Sequence, residues 1–301
     1  MQAPNPVLDR QALERLERLA LKWSRSFEGL LGGANRSRYP GAGHEFLDHR
    51  PFQQGDDLRQ VNWRAYMRLE RLFLRMFRTE PRTPVAILID TSESMTTGGV
   101  ESGEPKFHFA CRLAASLCYI GLVRLETMRI VPFSSGLGEE YRAQGGRHRF
   151  AQAAAFLSGL ETEGESDFGL AVREYCERTG APGLVIVLSD FLDDSDCPAA
   201  LERLASEGHE IQLVHLGAPE DRMPPWEGEL ELADAETGQV RRVQADAETA
   251  RLHAEAYDEY GALIERAARR REGRYVHLMT DASLEESVFG TMLGAEAVSL
   301  Q

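Results

Sequence analysis

The sequence has only four cysteines, Cys111, Cys118, Cys176 and Cys197, and no CxxC pair among them. A disulfide framework is therefore not expected, and a reduced, cytoplasmic setting is. No apolar run approaches the length that spans a membrane, and residues 1–30 lack the pattern of a secretory signal. Net positive charge is also absent. The formal net charge is −14, which argues against non-specific binding to nucleic acid or an anionic membrane surface. There is no Gly-x-Ser-x-Gly elbow and no Walker loop. The eight histidines are scattered without an evident paired base. No short-period repeat or low-complexity tract is visible.

What remains is ample material for a core. The chain has 301 residues, 43% hydrophobic and 27% charged, enough for one large domain or two ordinary ones. Val85-Ala86-Ile87-Leu88-Ile89 and Leu184-Val185-Ile186-Val187-Leu188 are apolar without alternation, as strands buried on both faces of a parallel sheet are. Between and after them, strand patterns at Met128–Phe133, Glu210–Leu216 and Tyr275–Leu278 alternate with helical spacing. Such alternation predicts a doubly wound, mainly parallel α/β sheet over residues 83–301. Residues 139–144 read as a short edge strand, 218–245 as a polar excursion with a hairpin turning at Thr237-Gly238, and 284–293 as a closing helix. Residues 1–82 read as an N-terminal part, wrapped on the 83–301 domain or forming a small module before it. An amphipathic helix is expected from Leu8 to about Leu31, ended by Gly32-Gly33. An arginine-rich segment follows, whose Leu72–Arg78 stretch could feed the sheet edge.

The first apolar strand ends in Asp90, with hydroxyls at Ser92 and Ser94. In open parallel sheets ligands sit at the carboxyl edge, and carboxylate and hydroxyl oxygens are the hard donors that Mg²⁺ prefers. Alternatively these side chains only satisfy turn backbone groups. A second strand ends in Ser189-Asp190. Between the two, Gly164-Glu165-Ser166-Asp167 precedes a helix. These loops can converge at one point.

That set resembles the metal-ion-dependent adhesion site of von Willebrand factor type A domains, which have a Rossmann-like fold. The resemblance implies Mg²⁺ (or Mn²⁺) held by Ser92, Ser94 and Ser166, with Asp90 and Asp190 acting directly or through water. Threonine is usual in the middle loop of that family; Ser166 stands there, with Asp167 as an alternative. Residues Gly41-x-Gly43-x-Glu45-Phe46, Arg50-Pro51-Phe52, Gly55-Asp56-Asp57-x-Arg59, Asn62-Trp63-Arg64-Ala65 and Arg71-Leu72-Phe73 resemble the bacterial family called domain of unknown function 58. Its members join such a segment to a type A domain, and their genes often lie beside those of MoxR-type AAA+ ATPases. The resemblance implies a protein–protein interaction module, an adaptor or assembly factor. Its partner would be that ATPase or its client, and a partner carboxylate would bind through the metal.

Other readings are weaker. His44-Glu45 with His49 lacks the four-residue spacing of a zinc-protease helix, and Gly55-Asp56-Asp57 is too short to mark a polymerase loop. A metal-dependent phosphate-ester hydrolase with Asp90 as phosphoryl-accepting nucleophile would resemble the haloacid dehalogenase pattern, which needs a second Asp two residues later, where Ser92 stands. Residues 33–82 hold ten arginines against six acids. They lack aromatics interleaved at stacking density, so ion pairing is expected of them rather than nucleic-acid binding.

Overall fold

The structure, a computed structural model, describes residues 8–22, 45–52, 61–78, 84–99 and 104–300. The chain divides into two compact units, Met1–Arg25 with Thr83–Gln301, and Ser26–Arg82.

In chain order the larger unit begins with α1 (Arg10–Leu16) and β1 (Leu19–Leu21). The smaller unit holds β2 (Glu45–Pro51), α2 (Trp63–Leu69) and β3 (Phe73–Arg78). The larger unit resumes with β4 (Pro84–Asp90), α3 (Lys106–Val123), β5 (Thr127–Phe133) and β6 (Tyr141–Gln144). Then come α4 (Phe150–Ser158), α5 (Phe168–Arg178), β7 (Leu184–Ser189), α6 (Cys197–Ser206) and β8 (Glu210–Gly217). A short α7 (Pro219–Arg222) leads to β9 (Gly228–Ala233) and β10 (Val240–Ala245). The long α8 (Ala247–Arg269), β11 (Arg274–Met279), a helical segment of π winding over Glu286–Met292, and β12 (Val298–Leu300) close the chain.

Six strands form the central sheet in the order β11-β8-β7-β4-β5-β6, parallel except for edge strand β6. This is the expected doubly wound, mainly parallel α/β architecture. Successive residues of β4 explain its unbroken apolar run. Val85, Ile87 and Ile89 pack on one face with α3 and α4, while Ala86 and Leu88 pack on the other with α5, α6 and α8. The chain leaves β4 for β5 on one side and returns through β7 on the other. The topological switch therefore lies between β4 and β7, the place where such sheets open a crevice at their carboxyl edge.

Aspartates start the helices. Asp9, Asp167, Asp196 and Asp246 accept from the backbone N–H three residues on, at 2.7, 2.7, 3.0 and 2.8 Å, capping α1, α5, α6 and α8. Helix α3 has the length and composition to cross a membrane, contrary to the expectation that no segment does, yet 83% of it is buried in the protein. All four cysteines are unpaired.

The N-terminal expectation fails in part. The helix covers only Arg10–Leu16, and Leu19–Leu21 form β1, antiparallel to β12. Leu16, Leu19 and Leu21 are all buried in the same core. Their spacing serves a helix followed by a strand as well as one long helix, and the distant β12 edge decides between them. Trp23, Phe27, Leu30 and Gly32-Gly33 lie outside the described residues. Strand β3 does not feed the central sheet. It pairs antiparallel with β2, with an irregularity between Phe46 and Asp48. Asn62 caps α2 by accepting from the Ala65 N–H at 3.3 Å. Of the arginine-rich segment, Arg36, Arg38, Arg59 and Arg82 lie outside the described residues, as do Gly41, Gly43, His44 and Gly55-Asp56-Asp57. Arg64, Arg68 and Arg71 are exposed.

Gly183, just before β7, permits the closest approach of that strand's lead to β4. A Cβ there would sit 2.1 Å from the Pro84 carbonyl oxygen, a backbone atom that cannot swing away. Gly183→Ala is expected to cost about 1–3 kcal/mol, read as a lower urea midpoint with unchanged slope.

Candidate metal centre

The five oxygen-bearing residues singled out in the sequence meet at the β4/β7 switch point. Asp90, the last residue of β4, is fully buried. The next residue is pinned to the neighbouring strand, with the Thr91 N–H and hydroxyl both donating to the Phe133 carbonyl at 2.8 and 2.9 Å. The chain then turns into a single 3₁₀ turn, Glu93–Thr96. There the Ser92 N–H donates to Asp90 Oδ1 at 3.0 Å, and Ser92 Oγ and Ser94 Oγ stand 3.0 Å apart. The middle loop is stitched alongside by Glu93 N–H to the Gly164 carbonyl (3.0 Å) and Glu163 N–H to the Thr91 carbonyl (2.8 Å). This stitching brings the Ser166 hydroxyl to Asp90 Oδ2 at 3.3 Å. Asp167, the alternative in that loop, instead caps α5.

Asp190 follows β7. Its Oδ1 accepts from the Leu192 N–H at 3.2 Å and from the Ser94 hydroxyl at 3.5 Å. The turn is held in an uncommon shape. Phe191 has φ of 54°, its N–H donates to Ser189 Oγ at 2.8 Å, and its carbonyl accepts from the Tyr260 hydroxyl. Backbone kept in the left-handed region by surrounding bonds is typical of functional turns.

Four participants were not foreseen. Ser189 donates its hydroxyl to Asp90 Oδ2 at 2.5 Å. Lys106 is fully buried, and its ammonium sits 2.7 Å from Asp190 Oδ2 and 3.1 Å from Asp221 Oδ2. Glu236, in the turn between β9 and β10, accepts from the Ser166 N–H at 3.2 Å through Oε2. A signal for Lys106 was available, because it is one of only two lysines in a chain that otherwise takes its cations from arginine. Ser189 and Asp221 carry no comparable mark, and Glu236 lies where only a turn is legible.

The electrostatics are lopsided. Burial, and then the Asp190 charge, push the Asp90 carboxyl up to about 7; hydrogen bonds from Ser189 and Ser92 oppose them without prevailing. Burial alone would lower the Lys106 pKa, but Asp190 and Asp221 outweigh it and hold it raised. Burial also raises the Glu236 carboxyl, with the Ser166 N–H and then the Ser94 hydroxyl opposing it. Asp190 is thus divided, with Oδ2 committed to the ammonium and Oδ1 left on the side of the hydroxyls.

Among the described residues no group of three or more His, Cys, Asp or Glu side chains is arranged as a metal cluster. The donors here are of another kind, two carboxylates with hydroxyls. The 3.0 Å between Ser92 and Ser94 oxygens matches the edge of an octahedron with bonds of about 2.1 Å. Among the described residues no positive charge offsets the forces that raise the Asp90 carboxyl. Both features fit a small, hard divalent cation.

A family model described as a protein of unknown function, DUF58, matches residues 48–261. The chain belongs to the DUF58 family. This DUF58 chain is 24% identical over 234 residues to the uncharacterized protein Rv1480 of Mycobacterium tuberculosis, covering 77% of this chain and 73% of that one. Among solved structures it is similar to the conserved hypothetical protein BatB from Bacteroides thetaiotaomicron. That likeness has a TM-score of 0.43, with 18% identity over 71% of this chain and 98% of the other. It is also similar to a von Willebrand factor type A structure from Catenulispora acidiphila, with a TM-score of 0.34 and 16% identity over 48% and 35% of the two chains.

Proposed function

We propose that this DUF58 protein is a metal-dependent protein-interaction module without catalytic activity. In this reading Ser92, Ser94 and Ser166 hold Mg²⁺ (or Mn²⁺) through their hydroxyls, and Asp90 and Asp190 contribute directly or through water. Few charged ligands leave such an ion electrophilic, and an acidic side chain of a partner protein completes its shell. The partner is a MoxR-type AAA+ ATPase or its client, and the setting is cytoplasmic. One observation carries the reading: Asp90, Ser92, Ser94, Ser166 and Asp190, from three separate loops, lie in one hydrogen-bonded group at the switch point.

A phosphoryl-accepting role for Asp90 gains no support. Its side chain is fully buried, and both its oxygens already accept hydrogen bonds from Ser92, Ser166 and Ser189.

The test is capture of a MoxR-type ATPase from the same genome, in Mg²⁺ and in EDTA, alongside metal content. Capture is expected to fall at least tenfold in EDTA and in Asp90→Ala, with the variant losing its bound metal. Equal capture under all three conditions overturns the reading.

A further inference from the structure

The β9–β10 hairpin stands apart from the central sheet as a two-stranded ribbon. Such a ribbon is marginally stable by itself. Most of its strand residues are exposed, and its cross-strand pair Arg242–Glu231 is exposed too, so it adds little anchoring. Its tip is nonetheless carefully built. Asp234 Oδ1 accepts from the Glu236 N–H, the Thr237 N–H and the Thr237 hydroxyl at 3.1, 2.7 and 2.8 Å. Gly238 takes the left-handed φ of 68° that closes the turn. This rigid tip presents Glu236 to the metal centre. Oε2 receives the N–H of Ser166, a candidate ligand residue. Oε1 is enclosed by protein and makes no hydrogen bond of normal geometry among the described residues, with the Ser94 hydroxyl the further donor that acts on this carboxylate. An enclosed carboxylate oxygen without a well-formed hydrogen bond is costly. It stands next to a group of oxygens whose one buried cation, Lys106, is committed to Asp190 Oδ2 and Asp221 Oδ2.

We infer that the hairpin is an internal acidic ligand: Glu236 takes the place at the centre that a partner's carboxylate would take, so an acidic partner segment binds by displacing the hairpin tip. The inference rests on the metal-dependent reading above. It adds that the module is self-occupied when alone, and that the divalent cation draws the tip inward, because the Glu236 carboxylate already reaches the loop that carries Ser166. Displacement is feasible because the ribbon has few other ties, and Gly228 (φ 93°), at the start of β9, can serve as its hinge.

The experiment compares wild type, Glu236→Gln, Asp90→Ala and a control, Glu231→Gln, which lies on the same ribbon away from the tip. Mg²⁺ uptake is measured by calorimetry, amide hydrogen exchange by residues 228–245 with and without Mg²⁺, and binding of a fluorescein-labelled peptide of alternating Asp and Gly in Mg²⁺. In wild type and Glu231→Gln, Mg²⁺ is expected to slow exchange across the hairpin at least tenfold. In Glu236→Gln that protection is lost and the peptide binds at least tenfold more tightly, since its internal competitor is gone. If wild type takes up Mg²⁺ and Asp90→Ala does not, but Glu236→Gln matches wild type in exchange and peptide affinity, the internal ligand is overturned and the metal-dependent module stands. If wild type takes up no Mg²⁺, the metal-dependent reading itself is overturned.

Discussion

Replacing Lys106 with methionine is expected to lower the unfolding free energy by about 3–5 kcal/mol, the usual cost of stranding a buried charge. Its ammonium holds Asp190 Oδ2 at 2.7 Å and Asp221 Oδ2 at 3.1 Å, in a place where the lysine and Asp190 side chains are 1% and 2% exposed. Methionine fills similar volume, so packing changes little and the loss reports the unpaired carboxylates. The double variant Lys106→Met/Asp190→Asn should recover a large part of that loss, because the stranded negative charge goes with it. Urea unfolding at pH 7.5 checks both. A loss below about 1 kcal/mol, or a double variant no better than the single one, would show that the ammonium does not compensate the centre. Lys106→Met should also gain more stability from Mg²⁺ than wild type does. In its absence a divalent cation is the remaining source of positive charge beside Asp190.

The second large effect is a pH dependence that magnesium reverses. In the metal-free fold Asp90 is pushed up to about 7 from an ordinary value of 3.8. Between those values the folded chain keeps a proton that the unfolded chain has released. Stability contributed by this group is therefore present at low pH and declines as pH rises through about 7. Asp90→Asn removes the dependence. At pH 8 without metal the variant should be more stable than wild type by a few kcal/mol, since each pH unit between the folded and unfolded values is worth about 1.4 kcal/mol, and the gap should shrink toward pH 5. Saturating Mg²⁺ should favour wild type, because the ion requires the ionised carboxylate. Below pH 7 its affinity should drop about tenfold per pH unit. His215 works in the opposite sense and must be separated from this. Burial, and then the His277 charge, push it down to about 3, so the stability it supports is lost as pH falls below 6.5. Comparison of Asp90→Asn with wild type at each pH cancels that contribution. Parallel curves for the two proteins would contradict the raised carboxyl.

Much of the architecture was legible because it is written locally. Val85–Ile89 and Leu184–Leu188 are apolar at every position, and burial on both faces of a parallel sheet requires that. The turn at Thr237-Gly238 carries the residues that such a turn needs. The hydroxyls at Ser92 and Ser94 sit at a fixed offset from Asp90. Where local pattern misled, a distant partner decided the outcome. Leu19–Leu21 became a strand because Val298–Leu300 offered an edge, and Phe73–Arg78 paired with Glu45–Pro51 rather than with the central sheet.

The sequence by itself determined the layered α/β class, the strand that ends in Asp90 and the hydroxyl-rich loops that follow, because periodicity and turn chemistry act within a few residues. Only the tertiary structure decided that Lys106 lies against Asp190 and Asp221, that Ser189 serves Asp90, and that Glu236 reaches Ser166 across 70 positions of chain. Those meetings depend on the order of strands at the switch point and on the path of the connections between them. No local preference of any one residue encodes either.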